Sequence, residues 1–140
     1  MKVLFLDIDG VVNCRTTINR SNGYIGIDLY MVLLVHRIIE ATGCKVVLSS
    51  SWRHYGDSLS EVRKSFDLLD VTPNIPDLMR GYEIKAWLSV QKDVENYAIL
   101  DDNNDMLPEQ QDHFFKTTWE DGITQEIVDK VIKYLNEPNS

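Results

Sequence analysis

The length, composition and charge of the chain exclude several classes of protein. With 140 residues, the chain has room for one folded domain but not for a second module. We predict a single domain over residues 1–136 and a C-terminal tail over residues 137–140. No apolar run is long enough to span a bilayer and no signal-peptide pattern is visible, so we expect a cytoplasmic protein without a membrane partner. The net charge of −8 argues against a broad nucleic-acid-binding surface.

Cysteine usage argues against a metal-sulfur site and a disulfide framework. Cys14 and Cys44 are the only cysteines, and neither belongs to a Cys-x-x-Cys pair or a cysteine-histidine cluster. We therefore predict two free thiols.

The first third of the chain predicts a strand, a loop and a helix. Residues 2–6 are almost continuously apolar, which is typical of a strand covered on both faces in a parallel sheet. Residues 8–26 are predicted to form a polar loop. A helix is predicted over residues 28–41, with Gly43 as its C-terminal stop. Its apolar positions at helical spacing are Leu29, Val32, Leu33, His36 and Ile39.

The middle third predicts a second strand and a second helix. Residues 45–48 form a short apolar strand, which must end at the polar run that begins with Ser49. Residues 58–61 have the form of a capping box and precede a second helix. Its apolar face would carry Val62, Phe66 and Leu69. A loop with two prolines is predicted to follow.

The last third predicts two helices and two strands. A helix begins near Gly81 or Tyr82 and presents Ile84, Trp87 and Leu88 on one face. Strands are predicted over residues 97–100 and 113–117, and a final amphipathic helix over residues 124–135.

This alternation of strands and helices predicts the fold class. It indicates an α/β protein, a three-layer Rossmann-like sandwich with a mostly parallel sheet. Ligands bind such sheets outside the carboxyl ends of the strands. The polar residues that follow the predicted strands are Asp7, Asp9, Ser49, Asp101 and Asp102. The segments 13–27 and 54–79 are too short for a separate cap domain, so we expect an open site.

Asp7 and Asp9 indicate phosphate chemistry. They lie one residue apart between an apolar strand and Gly10, and alternate residues of an extended chain share a side. Two carboxylates at such a short distance repel each other, and a bound cation would reduce this repulsion. Taken alone, the same residues are also compatible with an ordinary turn.

Together these motifs resemble a known superfamily. The sequence Asp7-x-Asp9-Gly, Ser49 after the second strand, a basic residue at a helix start and Asp101-Asp102 after the next strand resemble the four motifs of the haloacid dehalogenase (HAD) superfamily. The stretch Ser-Ser-Trp-Arg that ends at Arg53 and the stretch from Arg80 to Leu88 resemble the HAD domains of Swiss Army Knife RNA-repair proteins. The resemblance implies a capless or minimal-cap HAD fold.

The resemblance also implies roles for the acidic residues. Asp7 would be the nucleophile that forms an aspartyl phosphate, and Asp9 would be the general acid and base. Mg²⁺ would be held by a carboxylate oxygen of Asp7, the backbone carbonyl of Asp9 and a carboxylate of the Asp101-Asp102 pair. We favour Asp102 as the direct ligand and Asp101 as the residue that orients the basic group.

The remaining roles implied by the resemblance concern phosphate binding. Ser49 would hydrogen-bond a phosphoryl oxygen, with help from Ser50. Arg53 would either clamp a substrate phosphate or pair with surface acids. The basic motif has two candidates, Arg80 at the helix start and Lys85 within the helix. We favour Arg80, although arginine departs from the usual lysine of the family.

These residues predict a magnesium-dependent phosphomonoester hydrolase. Its substrates would be nucleotides or terminal phosphates of nucleic acid, a choice that rests on the family resemblance. A phosphatase of small phosphorylated metabolites is an alternative. An alternative from another class is a receiver-like signalling module that accepts phosphate on an aspartate. The oligomeric state is left open.

Overall fold

The computed structural model describes residues 1–138. Its strands are β1 (Lys2–Leu6), β2 (Arg20–Ser21), β3 (Tyr24–Ile25), β4 (Lys45–Leu48), β5 (Leu68–Val71), β6 (Asn96–Asp101) and β7 (Phe114–Lys116). Its α-helices are α1 (Leu29–Thr42), α2 (Gly56–Ser65), α3 (Arg80–Ser89) and α4 (Gln125–Asn136), and two 3-10 helices cover Ser51–His54 and Pro108–His113. Asn139 and Ser140 of the predicted tail lie outside the described residues.

A five-stranded parallel sheet organises the domain, with the strand order β5-β4-β1-β6-β7. β1 is central and pairs with β4 on one side and β6 on the other. In this register Leu6 lies opposite both Leu48 and Leu100. The carboxyl ends of the three central strands are therefore level with one another. The predicted Rossmann-like α/β fold is confirmed.

Alternation along the strands divides the core between the two faces of the sheet. Leu4 and Leu6 of β1 face the cluster formed with α1, α2 and α4, whereas Val3 and Phe5 face α3. Both faces of the sheet are thus covered by helices, as the apolar character of β1 predicted. Among residues 1–138, no helix is long and apolar enough to cross a lipid bilayer. Cys14 and Cys44 are buried free thiols, as predicted.

The predicted apolar face of the first helix is partly wrong. α1 ends at Thr42, and Gly43, whose φ of 69° is left-handed, is the C-terminal stop that the sequence predicted. However, Leu29 and Leu33 are 72% and 61% exposed. The residues that α1 buries are Met31, Val32, Leu34, Val35 and Ile38. This helix is apolar around most of its circumference, so only packing against the sheet decides which stripe is buried.

The second helix and the segment after it also differ from the prediction. α2 begins at Gly56, so the predicted capping box lies inside the helix and caps nothing. The helix ends at Ser65, and the chain then enters β5, an edge strand that the sequence interpretation assigned to helix and loop. Leu69 lies on β5 and is 47% exposed. The apolar spacing of four and then three residues from Val62 to Leu69 therefore runs across two short elements rather than along one long helix.

The prediction of a polar loop over residues 8–26 is wrong, because the segment is partly buried and contains two strands. Its first part is buried, including Val11 and Val12, and its second part forms the antiparallel hairpin β2–β3. The hairpin turns at Asn22 and Gly23, which have φ angles of 53° and 83°. Asn-Gly is the strongest short-range hairpin signal, so the sequence did contain the information. Between β1 and α1, this hairpin is the only regular secondary structure.

Candidate active site

The sheet register brings the predicted site residues to one edge. The backbone N–H of Asp7 donates to the carbonyl of Leu100 at 3.0 Å, and that of Ser49 donates to the carbonyl of Leu6 at 2.8 Å. Asp7, Ser49 and Asp101 each follow one of the paired leucines. They therefore lie side by side at the carboxyl ends of β1, β4 and β6, where ligands bind in open α/β sheets.

Three carboxylates converge at this edge. Asp7 and Asp101 are buried, Asp102 is half-buried, and one oxygen from each lies within 4.8 Å of the others. Burial raises the pKa of Asp7 to about 6. Burial, and next the charge of Asp7, raise the pKa of Asp101 to about 8. Clustered carboxylate oxygens are the hard ligands that Mg²⁺ prefers, so these residues fit a divalent metal.

Gly10 makes room for one of these carboxylates. Its φ is +79°, and a Cβ atom at this position would lie 2.3 Å from Oδ2 of Asp102. The turn is held from the other side by Thr117, whose hydroxyl donates to the carbonyl of Gly10 at 2.5 Å. Glycine is therefore required both by the backbone conformation and by the approach of Asp102.

Arg80 is the basic residue that reaches the carboxylate cluster. Its Nη1 lies 3.3 Å from Oδ1 of Asp7 and 3.5 Å from Oδ2 of Asp101, and it also donates to the backbone carbonyl of Ser49. The neighbouring Gly81 anchors the start of α3, because its N–H donates to the carbonyl of Asp105 at 3.0 Å. The position at the helix start is thus the one that points the cation at the site.

Asp9 faces a different space from Asp7. Its side chain accepts hydrogen bonds from Nδ2 of Asn13 at 3.0 Å and from Nε1 of Trp52 at 3.1 Å. It also lines a cleft of about 1060 Å³ between the hairpin β2–β3 and the start of α2. The two donors fix the orientation of the Asp9 carboxyl group in the wall of this cleft.

Ser49 and Ser50 lie beside the carboxylates and are both buried. The Ser49 hydroxyl has no hydrogen-bond partner among residues 1–138. A buried hydroxyl is normally paired, so an unpaired one at this edge is available to a ligand. The Ser50 hydroxyl accepts from the backbone N–H of Trp52 at 3.2 Å. A hydrogen bond from the Ser50 side chain to Asp7 partly offsets the rise in the pKa of Asp7.

The comparison with protein families agrees with this arrangement. The family described as "HAD domain in Swiss Army Knife RNA repair proteins" matches residues 3–128. The chain belongs to this family. No curated protein matches it. Membership indicates a hydrolase, and it favours the phosphatase interpretation over the receiver-like alternative.

In this HAD domain the Arg53 side chain is buried in an ion pair. Its Nη2 pairs with Oε2 of Glu83 at 2.8 Å, and its Nη1 donates to the carbonyl of Ser50 at 2.7 Å. The two side chains are only 5% and 7% exposed. Of the two sequence alternatives for Arg53, the structure shows pairing with an acid, but with a buried one. Both Nη atoms are occupied in this way, whereas Nε has no partner among the described residues.

Lys85 is also placed away from the carboxylates. Its ammonium is exposed and pairs with Glu109 at 3.5 Å. Five residues along α3 correspond to roughly 140° around the helix, so Lys85 and Arg80 cannot face the same site. The predicted substrate-binding role of Lys85 has no support in this geometry.

The sequence interpretation missed three supporting residues. Glu83 lies one turn after Arg80 and accepts from Arg53 and from the N–H of Ile75, and this spacing along the helix could have revealed it. Asn13 and Trp52 hold Asp9. No spacing rule connects Trp52 to Asp9, because they are 43 residues apart and meet only through the sheet.

Proposed function

We propose that this HAD domain is a magnesium-dependent phosphomonoester hydrolase that acts through an aspartyl phosphate on Asp7. The observation that carries the proposal is the convergence of Asp7, Asp101, Asp102 and Arg80 at the carboxyl edge of the sheet, beside a second carboxyl group that faces a cleft. This second group, on Asp9, lies outside the carboxylate cluster and would protonate the leaving oxygen.

The proposed reaction has two proton-balanced steps. In the first, a carboxylate oxygen of Asp7 forms a bond to phosphorus while the bond from phosphorus to the ester oxygen breaks, and Asp9 donates its proton to the departing alcohol. In the second, Asp9 takes a proton from water, the hydroxide oxygen bonds to phosphorus, and the bond to Asp7 breaks. Inorganic phosphate leaves, and Asp9 is again protonated.

Mg²⁺ would be held by Asp7, Asp102 and the backbone carbonyl of Asp9. When bound, it supplies positive charge to the phosphoryl oxygens and offsets the repulsion among the carboxylates. Asp101 would then orient Arg80, with which it forms an ion pair at 3.5 Å. Arg80 in turn would bind a phosphoryl oxygen.

The Ser49 hydroxyl would donate to another phosphoryl oxygen. Its lack of a partner among the described residues supports this role. A donor that is already in place lowers the barrier because it needs no reorganisation during the reaction.

Nucleotides or terminal phosphates of nucleic acid are the substrate class that we propose for this activity. The support is the description of the family, whose HAD domains occur in RNA-repair proteins. A small phosphorylated metabolite is the alternative that a substrate screen would separate.

The test uses hydrolysis of an aryl phosphate by the purified protein. We expect turnover that a chelator abolishes and Mg²⁺ restores. Asp7→Asn should remove turnover, because an amide cannot attack phosphorus, whereas Asp67→Asn on the exposed surface serves as a matched control. Turnover that persists in excess chelator would reject the metal, and near-normal turnover by Asp7→Asn would reject the nucleophile.

A further inference from the structure

The cleft beside Asp9 has the dimensions of a ligand site. Its volume is about 1060 Å³, close to the upper end of the range for small-molecule sites. One wall is the hairpin β2–β3, the opposite wall is the segment from Ser51 to Ser58, and Trp119 completes the lining. Because Asp9 lines it, the cleft adjoins the group that we propose protonates the leaving oxygen.

Aromatic rings are concentrated in this cleft. Trp52, Tyr24, Tyr55 and Trp119 all line it. Tyr24 and Tyr55 are 79% and 66% exposed, and Trp119 is 38% exposed. Among the described residues, every ring-to-ring contact involves other side chains. Tyr24 and Tyr55 therefore expose ring surface on which a flat ligand can stack, whereas Trp52 is buried and holds Asp9.

The charged groups of the cleft disfavour a polyanion. Asp9 and Asp57 contribute negative charge, and His54 is the one basic side chain among the described lining residues. A groove that tracks a phosphodiester backbone carries lysine or arginine in addition to its aromatic rings. Here stacking surface is present without that positive charge, so the cleft suits an uncharged ligand.

We infer that this cleft binds the leaving group of the substrate, and that this group carries an uncharged aromatic ring system of the size of one nucleobase. The inference rests on the proposed function, because it assigns Asp7 to the phosphate and the cleft to the alcohol. The ring stacks on Tyr24 or Tyr55, and the single phosphate attached to this leaving group reaches the carboxylate edge. Specificity then comes from stacking on a single terminal base rather than from recognition of a charged strand.

Two substrates with the same leaving oxygen isolate the contribution of the ring. Adenosine 5′-monophosphate and ribose 5-phosphate both release a primary alcohol, but only the first carries a base. Stacking of one base corresponds to about a tenfold to hundredfold effect. We expect kcat/KM for the nucleotide to exceed that for the sugar phosphate by this factor at low and at moderate salt.

Substitutions in the cleft test the residues. Tyr24→Ala and Tyr55→Ala should each lower the ratio of the two kcat/KM values toward one. Tyr30→Ala is the matched control, because Tyr30 is 62% exposed on α1 and lies outside the cleft lining. It should preserve the ratio.

Direct binding of adenosine separates this inference from the proposed function. Calorimetry should detect adenosine binding that Tyr55→Ala weakens, whether or not the protein hydrolyses phosphate. If the protein binds adenosine but hydrolyses no phosphomonoester, the proposed function fails and the assignment of the cleft stands. Equal kcat/KM for the two substrates, together with no adenosine binding, would overturn the inference. A kcat/KM that rises with oligonucleotide length and falls steeply with salt would also overturn it.

Discussion

Removing the buried acid that holds Arg53 should destabilise the domain strongly. Glu83 accepts from Nη2 of Arg53 at 2.8 Å and from the N–H of Ile75 at 2.9 Å, and it lies 4.0 Å from Nε of Arg80. Glu83→Ala leaves the Arg53 guanidinium buried without a counter-charge and leaves the N–H of Ile75 without its acceptor.

The burial of the pair sets the expected size of this effect. With side chains only 5% and 7% exposed, the loss of one partner should cost about 3–5 kcal/mol of unfolding free energy. A domain of this size has about 5–15 kcal/mol in total. The loss corresponds to a fall of about 10–20 °C in Tm.

An exposed ion pair between α3 and the 3-10 helix Pro108–His113 provides the control. Lys85 and Glu109 are 3.5 Å apart, but their side chains are 64% and 57% exposed. Truncating either of them should cost no more than about 1 kcal/mol, because exposed pairs are screened by water and salt.

The assay is urea unfolding followed by circular dichroism, applied to wild type, Glu83→Ala, Arg53→Ala and the double variant, with Glu109→Ala as the control. The double variant should cost less than the sum of the single variants, because it leaves no unpaired buried charge. Equal costs for Glu83→Ala and Glu109→Ala, or strict additivity in the cycle, would refute the argument from burial.

The other predictions concern the proposed chemistry. Arg80→Ala should lower kcat by about 10²-fold or more, whereas Lys85→Ala should change it little, and the reverse order would move the basic motif into the helix. Asp9→Asn should slow hydrolysis of alkyl phosphates by about 10²–10⁴-fold and that of activated aryl phosphates less, so equal losses would count against proton donation. Gly10→Ala should abolish the stabilisation by Mg²⁺ in a thermal shift assay, because its methyl group collides with a metal-site carboxylate. Asp101→Asn should raise the Tm of the metal-free protein at about pH 8 and progressively less toward about pH 5. The raised folded-state pKa makes ionisation of Asp101 cost stability as pH increases, and a gain independent of pH would contradict this reasoning.

Local sequence patterns were sufficient for the central strands and for the acidic residues at their ends. β1 is predicted at its observed bounds, and β4 likewise, because continuous apolar runs of this length that are buried on both faces form strands in parallel sheets. Once those strands are parallel and in register, Asp7, Ser49 and Asp101 must meet at one edge. The start of α3 likewise places the basic residue: Arg80 is the first residue of the helix and points at the site, whereas Lys85 lies five residues later and faces another direction.

Tertiary structure decided which groups are available to a ligand. Arg53 is the same arginine in the sequence whether it clamps phosphate or pairs with an acid, and only the folded chain brings it to Glu83, which lies 30 residues away. The buried stripe of α1 likewise depends on contact with the sheet. The aromatic rings of the cleft come from three separate segments, and no local pattern brings Tyr24, Tyr55 and Trp119 together. Periodicity and turn chemistry act over a few neighbouring residues, whereas burial, pairing and the shape of a cleft depend on segments that meet only when the chain has folded.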